Sequence, residues 1–160
     1  MDLFPDPAPP LVPVFDAAAI WNAAEIVEIG IARENLRKKF PQFRVKVWSV
    51  DLPSNVSLPV FGFWLLNTCP FDTGESAENR SWTLLLLINA GTGHAAVIPG
   101  YSAERWLGDD DWKKILTSMG EKWRSNNPCA SVLVFFESCA DFLTISWNLR
   151  GRAQTRKTRS

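Results

Sequence analysis

Ser81-Trp82-Thr83-Leu84-Leu85-Leu86-Leu87-Ile88, then Asn89-Ala90-Gly91-Thr92-Gly93 and His94-Ala95-Ala96-Val97-Ile98-Pro99, is the stretch whose reading decides the fold. From Trp82 to Ile88 only Thr83 interrupts the apolar run. A strand built from it must be covered on both faces, which is the position of a central strand in a sheet with helices on each side. Gly91-Thr92-Gly93 has hairpin chemistry and leads into a second, shorter strand instead of a helix, so it is not a phosphate-binding loop. Past Pro99, Gly100-Tyr101-Ser102-Ala103-Glu104-Arg105-Trp106-Leu107-Gly108 delivers the chain into Asp109, Asp110 and Asp111. Carboxylates are stabilised at a helix N-terminus, so a helix is expected from there to about Trp123.

Upstream, Met1 to Pro13 is a proline-rich, extended lead-in. Asp16 is the expected N-cap of a long helix with Ile20, Ala24, Val27 and Ile31 on its core side, Glu25, Glu28, Glu34, Arg37 and Lys38 outside, and Pro41 as its stop. Phe43, Val45 and Val47 alternate with Arg44 and Lys46, the pattern of a strand with one face more buried than the other. It closes at Asp51, Pro53, Ser54 and Asn55. A second helix is expected at about Leu58 to Asn67, with Phe61, Trp64 and Leu65 on one face, followed by a polar surface loop from Cys69 to Arg80. Downstream, Asn126-Asn127-Pro128 marks a helix start. Ser131 to Trp147 is too long for a strand and places Leu133, Phe136, Ala140, Leu143 and Trp147 at helical spacing.

The 160 residues suit one domain, expected to span 14–149 and able to bury about 70% of its unfolded surface. The formal net charge is zero, but residues 150–160 hold Arg150, Arg152, Arg156, Lys157 and Arg159 and no acid. The remainder carries twelve bases against seventeen acids. An acidic body repels nucleic acid, and the basic end, which has no amphipathic pattern of its own, is expected to be a disordered, solvated tail. Cys69, Cys129 and Cys139 cannot all pair and show no C-x-x-C spacing, which fits thiols in a reducing compartment. Asp2, Asp6 and the early prolines do not read as an export signal. Glu137 and Asp141 interrupt the apolar run Val132 to Leu149, so no transmembrane segment is expected. The chain as given reads as cytoplasmic, extracytoplasmic only if it is a processed or truncated form, and compatible with a monomer.

Gly100, Tyr101, Glu104, Leu107 and Asp109 stand as in the G-Y-G-x-E-x-x-L-x-D pattern of the TPM domain family, and the order of elements from about Val14 to the last helix resembles that family. Phe15-Asp16-x-Ala18 and Asn67 add weaker matches. The family is named for a thylakoid-lumen phosphatase, a photosystem II repair factor and an auxiliary subunit of a nicotinic receptor. The resemblance implies a three-layer α/β/α sandwich around a mostly four-stranded mixed sheet. It also implies one of three roles: acid phosphatase, binder of calcium or another divalent ion, or accessory domain. The family's Asp-Asn-Gly before the central strand is replaced here by Ser81-Trp82-Thr83, with Glu78 the nearest acid.

A hard cation needs several oxygens from different segments. Asp72, Glu75 and Glu78 on the long loop, together with Asp109 and Asp110, are the candidates for calcium or magnesium, and Asp109 is the best single one. The plainer reading is that the loop acids are solvated and the Asp triplet only opens a helix. His94 is the sole histidine, so a multi-imidazole zinc site is excluded and a structural or exposed role is expected. Cys129 is expected to be buried and inert, because no Cys-x5-Arg phosphate loop follows it. Tyr101 either packs across the strand end or lines a site there, with Glu104 and Trp106 as neighbours in a candidate binding surface. The expected function is a TPM-like accessory domain that binds a partner protein, with a metal-assisted phosphatase acting on phosphomonoesters as the alternative.

Overall fold

The computed structural model describes residues 13–68, 80–106 and 108–159. In chain order its elements are β1 (Val14–Asp16), α1 (Ala23–Lys39), β2 (Arg44–Val50), α2 (Leu58–Thr68), β3 (Thr83–Asn89), β4 (His94–Pro99), a 3-10 turn (Ala103–Arg105), α3 (Asp109–Arg124) and α4 (Pro128–Arg159). The fold is mixed α/β with a four-stranded mixed sheet in the order β1-β2-β3-β4. The first three strands are parallel and β4 is antiparallel to β3. The chain divides at Ala103/Glu104 into two compact units.

In the first unit β3 is central, as its composition requires, and Leu84, Leu85, Leu86 and Leu87 are fully buried. Each such side chain contributes on the order of 1.5–3 kcal/mol through its transfer from water. Ile98 pairs with Leu85 and Ala96 with Leu87, closing the hairpin through the glycine turn. Both β–α–β connections step the same way across the sheet. On one face of it Phe61, Leu65 and Leu66 of α2 join Trp48, Val50, Leu85, Leu87, Ala96 and Ile98 in one core. The approach of α2 is close. A Cβ at Gly62 would lie 2.4 Å from Ile98 Cγ1.

Three sequence expectations change in this unit. Val14–Asp16, where no strand is expected, is a strand paired with Val47–Ser49. Its Asp16 does not cap α1: the carboxylate accepts from the Ile20 and Trp21 N–H groups, both at 3.0 Å, and from the Ser49 hydroxyl, closing the β1–α1 loop. The helix starts later, where Asn22 Oδ1 accepts from the Glu25 N–H (2.8 Å) and Glu25 reaches back to the Asn22 N–H (3.0 Å). Along α1, Ile29 and Leu36 are buried, and Val27 and Ile31 are 61% and 57% exposed. β2 is the third change. It is buried on both faces from Val45 to Val50, and even Lys46 is fully buried.

In the second unit α3 and α4 pack together. Gly108 precedes α3, and the Asp111 carboxylate accepts its N–H at 3.0 Å. Asn126, at φ 59°, turns the chain in the left-handed conformation that asparagine tolerates, and Asn127 Oδ1 accepts from the Ala130 N–H (3.1 Å) at the start of α4. Val132, Phe135, Phe136, Cys139 and Leu143 are buried, a face rotated from the expected one, with Trp147 half exposed. By length and composition Pro128–Arg150 is apolar enough to cross a membrane. It nonetheless contains Glu137 and Asp141, and one side of it is buried in the protein. The helix does not end at Leu149 but continues to Arg159, through the stretch read as a disordered tail. Only Gly151 there opposes a helix, and basic residues near a helix C-terminus complement its dipole.

Candidate functional site

In open α/β sheets ligands bind outside the carboxyl ends of the parallel strands. Here β2 and β3 end at Val50 and Asn89. Beyond them lies a pocket of about 290 Å³, lined by Ser54 and Ser57 from the loop before α2 and by Asn89, Thr92, His94 and Ala95 from the hairpin, among others. The Asn89 amide is already committed. Its Oδ1 accepts from the Leu52 N–H (3.1 Å) and the Gly91 N–H (3.2 Å), and its Nδ2 donates to the Leu52 carbonyl (3.2 Å). One buried side chain thus ties the end of β3 to the β2–α2 loop and to the hairpin turn. Hydroxyls and the exposed His94 remain to meet a ligand, and the lining contains no carboxylate or thiol. Neither a nucleophile–His–carboxylate triad nor a carboxylate pair can be assembled from it.

The expected site residues are distributed over both units. Tyr101, just past β4, is 68% exposed. Its neighbours are fixed by the Gly100 N–H to the Thr83 carbonyl (2.7 Å) and the Ser102 N–H to the Ser81 carbonyl (2.9 Å). In the second unit Glu104 is exposed on the 3-10 turn. Trp106 stacks on Trp147 with ring centroids 5.3 Å apart, and the Arg150 guanidinium lies 4.3 Å from the Trp106 ring centre. Asp109 and Asp110 are exposed in the first turn of α3. Asp72, Glu75 and Glu78 lie outside the described residues.

Successive helical residues diverge by about 100°, so Asp109 and Asp110 cannot alone supply the oxygens that calcium or magnesium takes. Among the described residues no group of three His, Cys, Asp or Glu side chains comes together. Cys129 and Cys139 are buried, and burial pushes the Cys139 thiol well above the usual range, which suppresses its thiolate.

Sequence reasoning missed the outward apolar side chains of the helical layer. Val27 and Ile31 on α1, one turn apart, were assigned to the core, and Val60 and Phe63 on α2 are likewise exposed. The Asn22-x-x-Glu25 capping-box pattern was legible as a helix start later than Asp16, and it says nothing of which face is buried.

No protein-family model and no curated protein matches the sequence. Solved structures do share the fold. The chain is similar to the N-terminal domain of a protein from P. gingivalis (TM-score 0.64, 16% identity, 83% of this chain and 82% of that one). It is also similar to the N-terminal domain of the cg2496 protein from Corynebacterium glutamicum (TM-score 0.61, 14% identity, 81% and 78%). A third match is the BA42 protein from the psychrophilic bacterium Bizionia argentinensis (TM-score 0.58, 14% identity, 78% and 82%).

Proposed function

We propose that this chain is a TPM-type accessory domain that binds a partner protein and makes or breaks no bond itself. The family reading is supported by Gly100, Tyr101, Glu104, Leu107 and Asp109 together with the shared fold. The observation that carries partner binding is the exposure of Val27 and Ile31 on α1 and of Val60 and Phe63 on α2. Branched and aromatic side chains left outside on a helix characterise a surface that another protein covers. The polar pocket at the strand ends supports binding over chemistry, because its lining lacks an acid–base pair.

The test is photo-crosslinking in the native cell from positions 27, 31 and 63, with the half-buried, charged position 34 as the control. One partner protein captured from the three apolar positions and not from the control is expected, with capture lost in Val27→Lys/Ile31→Lys. Crosslinks only to a second copy of the chain, or none, would sink the proposal. Purified protein should leave p-nitrophenyl phosphate unhydrolysed with calcium or magnesium present. Turnover abolished by Asp109→Ala would instead establish the phosphatase, with a cation that Asp72 and Glu78 must help to hold.

A further inference from the structure

We propose that the C-terminal third of α4 is an interfacial anchor for anionic lipid bilayers. Ile145 and Leu149 are 57% and 60% exposed and stand one turn apart. The helix that carries them is continuous to Arg159. At about 100° per residue, Leu149 falls about 40° from Ile145, and past it the sequence carries Arg150, Arg152, Arg156, Lys157 and Arg159 and no acid. Asp141 bounds the stripe one turn earlier. The basic residues have no amphipathic pattern among themselves, and the helix supplies one by joining them to the apolar residues upstream.

The opposite side of this segment is engaged. Trp147 and Arg150, about 140–200° around the helix from Ile145, are held by Trp106, one through the indole stack and the other over the ring. Arg150 also donates to the Arg105 carbonyl. These contacts hold the Ile145–Leu149 side outward. An exposed aliphatic pair followed in sequence by bases matches the acyl–headgroup boundary: the aliphatic residues enter the apolar edge and the cations meet lipid phosphates. Residues 150–160 have five bases and no acid, which is the charge complement of an anionic surface. Exposed aliphatic side chains on the same stripe contribute nothing to a nucleic-acid backbone site, which is why lipid is favoured over a polynucleotide.

The test is co-sedimentation of the full chain with vesicles of phosphatidylcholine alone and of phosphatidylcholine mixed with phosphatidylglycerol. Binding to the mixed vesicles only, weakening as salt rises, is expected. Arg152→Glu/Arg156→Glu/Arg159→Glu should lower it about a hundredfold, and Ile145→Ser/Leu149→Ser about tenfold, with circular dichroism unchanged. Should the charge-reversed variant fail to fold, the serine variant decides. No binding to mixed vesicles, equal binding to both kinds, or undiminished binding by the serine variant with equally tight capture of a DNA oligonucleotide would each overturn the proposal.

Discussion

The outward stripe of α1 and the outward stripe of α4 are built alike, each from two large aliphatic residues one turn apart, and differ in their surroundings. Val27 and Ile31 sit among Glu28, Glu34, Arg37 and Lys38, charges of both signs, whereas Ile145 and Leu149 lead into bases alone. An exposed apolar stripe says that surface is available for burial, and the charge around it says against what. Mixed signs suit another folded protein, and one sign suits a surface of the other.

The comparison fails if either stripe is really core, and Leu86→Ala provides the scale. Removing this fully buried side chain from the central strand should destabilise the protein by about 2–5 kcal/mol in urea denaturation, while Ile31→Ala and Ile145→Ala stay within about 0.5 kcal/mol. A loss at Ile31 comparable to that at Leu86 would turn α1 around. Next in size is Gly62→Ala, where the added methyl meets Ile98 on the inner side of α2. It should cost about 1–3 kcal/mol, against a near-neutral Phe63→Ser on the outer side, both read as shifts in urea midpoint. The smallest expected effect concerns α4, where Cys139 lies on the buried side. Burial raises its thiol pKa, so the protonated form persists as pH rises through the ordinary thiol range, about 8.5. Alkylation followed by peptide mass analysis should show Cys139 almost untouched across that range. A cysteine introduced by Ile145→Cys should label faster as pH rises, and equal labelling of the two would erase the distinction between the faces.

What could be read from sequence was decided by local patterns strong enough to need no partner. The apolar run of β3, the glycine turn into β4, the Asp triplet opening α3 and Asn127-Pro128 opening α4 are of this kind. What could not be read depends on position in the sheet. Val14–Asp16 is too short to announce a strand and exists because β2 lies beside it. Lys46 looks like an outward residue until β2 is known to be covered on both faces. The Ile145 stripe escaped notice because its apolar and basic parts read as separate segments until one helix joined them. Of the candidate site, the exposure of Tyr101 and His94 and the helix-opening place of Asp109 and Asp110 are on view, and the loop acids Asp72 and Glu78 fall outside the described residues.

Trp106 and Trp147 stack with only 16° between their planes, and Arg150 sits over the first of them. Two parallel indoles at this separation behave optically as a coupled pair, and a nearby cation shifts their emission. The molecule therefore carries a native chromophore at the base of the segment that would meet a membrane. Light absorbed there reports on that end of α4 without any dye attached.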